Sequence, residues 1–114
     1  MAAPRKAKPP PVTVVYDPEA VLDLEQVKGK DERKALFNAV DKLRRLGAQL
    51  APPHVKLLKG EADLYELRPR QGRSAVRPLY GRFGDLFVIL AIATKRDFDR
   101  KVRLAGERAA QYDD

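Results

Sequence analysis

A chain of 114 residues with a formal charge of +7, no cysteine and a single histidine has room for one core. It excludes disulfide frameworks, thiolate metal sites and the His-rich arrangements that hold zinc. The excess charge is uneven, with twelve Lys or Arg against six Asp or Glu over residues 56–103, so the favoured partner class is a polyanion: nucleic acid, an anionic membrane or an acidic protein segment.

Residues 1–11 hold four prolines and three basic residues, a composition that cannot bury enough surface to offset the entropy of ordering. A disordered tail is expected there, with Arg5, Lys6 and Lys8 as a solubilising arm, and a single domain over residues 12–114. The tail lacks the apolar run of a secretory signal, and no stretch of about 18 apolar residues follows. A soluble, cytoplasmic protein without a membrane partner is the expectation.

The β-branched run Val12-Thr-Val-Val-Tyr16 reads as a strand that passes into a helix at Asp17-Pro18, where Asp is a natural N-cap and Pro suits the first helical position. Ala20, Val21, Leu24 and Val27 form that helix's apolar stripe, and Gly29 ends it. Asp31 is placed to cap a second helix through about Leu46, with Leu36, Ala39, Val40, Leu43 and Leu46 on its buried face. The pair is expected to form an antiparallel hairpin closed by Gly47, and Pro52-Pro53 forbids further helix.

Beyond the prolines the period shortens. Runs at His54–Leu58, Leu64–Arg68, Ala75–Phe83 and Leu86–Thr94, separated by turn residues, predict strands. Leu86-Phe-Val-Ile-Leu-Ala-Ile-Ala93 is apolar at every position, as in a strand covered on both faces. Asp97–Tyr112 reads as a closing helix with Phe98, Val102, Ala105 and Ala109 on one side.

The segment Leu64–Tyr80 is the most informative. It reads as a β-hairpin carrying Arg68, Arg70, Arg73 and Arg77 beside Tyr65 and Tyr80. Guanidinium groups are planar, permanently charged and shaped to grip phosphate oxygens in pairs, so a phosphodiester backbone, RNA in particular, is the expected partner. Alternation in the first arm puts Glu66 and Arg68 on one face, and pairing across the hairpin brings Arg77 near Arg68. The plain alternative is that Arg68 and Arg77 pair with Glu61, Asp63 or Glu66 as strand-surface charges do. Lys56 and Lys59 border the same sheet, and Arg82 follows the second arm. Lys95-Arg96 come at the end of the apolar strand. Arg100, Lys101 and Arg103 of the closing helix are expected to add non-specific grip. A lone loop histidine such as His54 is more often exposed than catalytic.

The order strand, helical hairpin, Leu-Tyr-Glu-Leu-Arg68, Arg77-x-Leu-Tyr80, apolar strand and Thr94-Lys95-Arg96 before a closing helix resembles the RelE/ParE superfamily of toxins. It is closest to the HigB-like and phage-derived branch. The resemblance covers residues 12–110. It implies an α+β, RelE-like fold: an N-terminal strand and helical hairpin on a curved antiparallel sheet of about four strands, with a C-terminal helix. It also implies a toxin of a type II toxin–antitoxin system that cleaves translated mRNA on the 70S ribosome by 2′-hydroxyl attack, with no metal or other cofactor. Arg77 matches the family's phosphate-holding arginine, Arg68 a basic position on the preceding strand, and Lys95 or Arg96 the basic residue after the last strand. Lys56, Lys59, Arg70, Arg73, Arg82, Arg100 and Lys101 would contact RNA.

Two departures stand out. Glu66 replaces a lysine of the RelE type, and no tyrosine occurs early in the closing helix. The general base is therefore left among His54, Glu66 and Tyr112. A gyrase-inhibiting ParE-like toxin and a non-catalytic, partner-binding relative are the competing readings. Either toxic reading implies a helix-turn-helix antitoxin, through which alone operator DNA would be bound.

Overall fold

The computed structural model describes residues 10–58 and 63–112; residues 1–9 of the expected tail over 1–11, Lys59 and Glu61 lie outside them. The elements run β1 (Thr13–Tyr16), α1 (Pro18–Glu25), α2 (Lys30–Leu46), β2 (Val55–Leu57), β3 (Leu64–Leu67), β4 (Arg77–Phe83), β5 (Leu86–Ala93) and α3 (Phe98–Ala109). The sheet has five strands in the order β1-β5-β4-β3-β2. Four are antiparallel, as expected. The fifth, β1, adds to β5 in parallel, with Thr13 opposite Leu86 and Tyr16 opposite Ile89, so the sheet is mixed.

Apolar side chains pack on both sheet faces. One face holds Leu67, Tyr80, Phe87, Ile89 and Ile92 with Ala20 of α1 and Leu36, Val40 and Leu43 of α2. The other holds Leu64, Leu79, Val88, Leu90, Ala91 and Ala93 under Ala105, Phe98, Val102 and Ala109 of α3. This two-sided cover explains why β5 is apolar throughout. Its alternation breaks once: Leu90 and Ala91 both lie on the α3 side, where the β4–β5 register shifts between Leu79 and Tyr80, the signature of a β-bulge. Leu36 and Leu43 are fully buried, and truncating either to Ala is worth about 2–5 kcal/mol.

Two local expectations change. Val21 is 40% exposed, because the eight-residue α1 lays Ala20 and Leu24 on the core and turns Val21 outward. Asp31 lies in the first turn of α2 rather than before it. The N-cap is Gly29, at φ +92, and Asp31 and Glu32 instead complement the helix dipole. Arg33 of α2 reaches back to the first helix and the segment after it, its Nη1 donating to the carbonyls of Leu24 (2.9 Å) and Val27 (3.5 Å). Gly47 caps α2 as expected, its N–H bonding Leu43 O. Its φ is +55, and a Cβ there would stand 2.8 Å from Val12 Cγ1.

The C-terminal helix is locked by charge. Asp23 accepts from Lys101 Nζ and from the Ile92 amide (3.0 Å), with Arg108 Nη1 at 3.6 Å. Arg108 also donates to Leu90 O at 2.7 Å. Lys101 is thus buried in an ion pair, correcting its assignment as an RNA contact. The sequence run Arg100-Lys101-Arg103 gives no sign that Asp23, 78 residues away, takes one member of it. Among the described residues no helix is long and apolar enough to cross a membrane.

Candidate functional site

Between β3 and β4 the chain does not make a simple hairpin turn. Residues 68–76 form a loop whose Arg70 (φ 55), Gln71 (φ 57) and Gly72 (φ 94) are consecutive left-handed residues, an arrangement that side-chain-bearing residues keep only where surrounding contacts impose it. Those contacts come from the start of α2: Ser74 Oγ donates to Glu32, Arg70 Nη2 donates to Asp31 O at 3.3 Å, and Arg70 Nη1 lies 3.7 Å from Glu32.

Arg77 closes the loop from inside. Its Nη1 donates to Glu66 Oε2 at 2.6 Å, Nη2 to Gly72 O at 2.7 Å and Nε to Ser74 O at 3.1 Å, and the residue is 9% exposed. Each guanidinium nitrogen is occupied, which agrees with the plain ion-pair alternative. Arg68 and Arg77 do meet across the hairpin, through Glu66: Arg68 Nε stands 3.6 Å from the same carboxylate oxygen. That distance is too long for a hydrogen bond, and Arg68 Nε is buried without a hydrogen-bond partner. The Arg68 guanidinium lies on Gly72, where a Cβ would be 2.8 Å from Nη2.

Arg68 is also one wall of a cleft of about 530 Å³ between α2 and the loop. Asp31, Lys34, Ala35, Asn38, Ala39 and Lys42 line it from α2, facing Leu50, His54, Leu67 and Arg70. His54 O accepts from Arg68 N at 2.9 Å, so the lone histidine borders the arginine cluster. Lys34, Asn38 and Lys42 were not singled out by sequence reasoning. The signal was their spacing of four on a helix, which means nothing until something faces that stripe.

The other residues fall elsewhere. Lys56 is opposite Glu66 in the β2–β3 register and is exposed. Arg82 is exposed and stacks over Tyr65 at 5.2 Å and Phe87 at 5.8 Å, capping a column in which Tyr65 and Tyr80 stand 5.2 Å apart. Burial pushes the Tyr80 phenol well up from its ordinary value. Arg73 is exposed and bonds Arg70 O. Lys95 and Arg96 are exposed beyond β5, on the strand end where Ala93 pairs with Arg77. Arg100 is exposed beside Asp97.

Tyr112 lies outside the arginine cluster. It packs on Phe83, and its hydroxyl donates to Asp17 at 2.7 Å. Burial, then that bond and the Asp17 charge, push its phenol up to about 12. Among the described residues no three His, Asp or Glu are grouped to hold a metal ion.

What the arrangement offers is a carboxylate clamped between two arginines, one of which has unspent hydrogen-bonding capacity and opens into a basic cleft. A profile described as phage derived protein Gp49-like (DUF891) matches residues 26–108. Among curated proteins no sequence matches. The fold resembles free, doubly substituted E. coli toxin RelE (TM-score 0.66, 17% identity, 86% of this chain and 97% of that one). It also resembles the RelB–RelE antitoxin–toxin complex of Methanococcus jannaschii (0.61, 16%, 75% and 95%) and the RelBE2 toxin–antitoxin complex of Mycobacterium tuberculosis (0.57, 24%, 75% and 99%). At these identities the likeness establishes a RelE-like fold.

Proposed function

Since this chain belongs to the phage-derived Gp49-like family, matched over residues 26–108, we propose that it is the toxin of a type II toxin–antitoxin pair, acting as a ribosome-dependent endoribonuclease on translated mRNA. The observation that carries this reading is that Arg68 and His54 line one basic cleft, with Arg77 held behind Arg68 on the shared Glu66 carboxylate. Two of the solved proteins that share its fold are toxin–antitoxin complexes, and a cognate antitoxin is the partner we infer here. Its site of action is the cytoplasm, where translation occurs.

In the reaction, the 2′-hydroxyl oxygen forms a bond to the neighbouring phosphorus and the bond to the 5′-oxygen breaks, leaving a cyclic phosphate and a 5′-hydroxyl. Charge develops on the phosphoryl oxygens, where fixed guanidinium donors stabilise it most. Arg68, which lines the cleft, is placed for that role. Arg77 reaches the phosphate when the substrate takes over the place of the Glu66 carboxylate. Of the three base candidates, Glu66 already accepts from Arg77 Nη1 and Tyr112 is bound to Asp17. His54 is left to accept the 2′-hydroxyl proton, imidazole being the side chain best suited to proton transfer near neutral pH. The leaving 5′-oxygen takes its proton from Lys95, or from water with Arg96 stabilising its charge.

One observation favours a non-catalytic relative instead: Arg77 has every guanidinium nitrogen bonded within the protein. Inducing the protein without its antitoxin and mapping mRNA 5′ ends separates the readings. New ends inside translated frames, lost in Arg77→Ala and His54→Ala, support the ribonuclease. Arrest without cuts points to another target such as gyrase, and unhindered growth to the non-catalytic relative.

A further inference from the structure

The cleft continues past the residues that the proposed chemistry uses. Along α2 its wall is Lys34, Asn38 and Lys42, on successive turns, and its floor is Ala35, Ala39 and Leu50. We propose that this part of the cleft is a binding track for single-stranded RNA, holding the nucleotides next to the scissile phosphate; the inference rests on the ribonuclease reading above.

Three features point to a polynucleotide. The first is charge. Lys34, Lys42, Arg68 and Arg70 face a single lining carboxylate, Asp31, and Arg70 already leans on Glu32, leaving both lysines without an ion pair among the described residues. The second is reach. Eight residues of α-helix separate Lys34 from Lys42, about 12 Å along the axis. One small anion cannot touch both, whereas successive phosphates of an extended strand can. The third is the floor. Alanines on the inner stripe keep α2 low there, so an apolar trough lies between cationic rims, suited to a ribose or base ring, with the Asn38 amide able to donate to or accept from a base edge. A carboxylate-bearing peptide would satisfy the charge but has no use for a flat apolar floor.

The test uses the full chain and a short fluorescein-labelled single-stranded RNA, with affinity followed against salt for wild type and Lys34→Ala/Lys42→Ala. Each phosphate contact on a single strand contributes a log–log slope of roughly −0.7, so losing two lowers the slope magnitude by about 1.4 and weakens binding about ten-fold at moderate salt. Lys34→Arg/Lys42→Arg should restore both, and circular dichroism should show an unaltered fold. Unchanged affinity and slope in the double-alanine protein would overturn the track. So would a polyglutamate peptide that depends on the lysines while RNA does not, which would make the cleft a protein-docking surface. Mapping 5′ ends in the same strains keeps the two readings apart. Cuts that persist with no effect on RNA affinity leave the ribonuclease standing without this track. RNA binding that depends on the lysines, in a protein that makes no cuts, upholds the track and removes the catalysis.

Discussion

Asp23 and Glu66 each lie between two cations, and the two clusters show how one motif serves different ends. Around Asp23, Lys101, Arg108 and the Ile92 amide meet the carboxylate, and Arg108 has a second acceptor in Leu90 O. The groups belong to two helices and a strand, and no backbone there is in a left-handed conformation. Around Glu66, Arg77 is equally well bonded, but Arg68 keeps a buried Nε with no partner, the adjoining loop has three left-handed residues in succession, and the cluster opens into a cleft. A buried ion pair by itself is weak evidence of anything. An incomplete one beside strained backbone and an opening is a better marker of chemistry.

Four substitutions probe this contrast, from the largest effect to the smallest. Asp23→Ala strands two largely buried cations and should cost about 3–5 kcal/mol in urea unfolding; a loss below about 1 kcal/mol would mean that the cluster does not hold α3 in place. Arg77→Ala should slow appearance of mRNA 5′ ends about 10²–10³-fold, and equal cutting by both proteins would reduce Arg77 to a loop clamp. Gly72→Ala meets Arg68 Nη2 at 2.8 Å from a backbone at φ +94, and should cost about 1–3 kcal/mol while lowering cutting by displacing Arg68. Tyr112→Phe should cost about 1 kcal/mol at neutral pH. The Tyr112 phenol is raised from 10.0 to about 12 in the folded protein, so its contribution is complete below pH 10 and disappears as pH climbs through about 12. Urea titrations of the two proteins should therefore converge over that interval; a gap that persists at the top of it would show that the Asp17 bond is not its source.

The strands were legible because their physics is local. An unbroken apolar run from Leu86 to Ala93 fits only a strand covered on both faces, and the register did bring Arg68 and Arg77 together at Glu66. The parallel pairing of β1 was not legible, since Val12–Tyr16 reads the same beside either sheet edge. Nor was the phase of a helix against distant partners: Val21 turns outward and Lys101 inward for reasons that lie in β5 and α1, far along the chain. The candidate site divides in the same way. Its arginines announced themselves by their density on one hairpin, whereas Lys34, Asn38 and Lys42 acquire meaning only when the loop at 68–76 closes over them.

Because β1 pairs in parallel with β5, Thr13 must wait for Leu86 before it has a neighbour. A ribosome making this chain releases β1, α1 and α2 long before the strand that receives them, and the α3 face is covered later still. Non-local pairings of this kind form late, so the nascent chain has no completed sheet until β5 has left the ribosome. The arginine loop, whose geometry depends on α2 being seated, is then assembled only after β5 has been made.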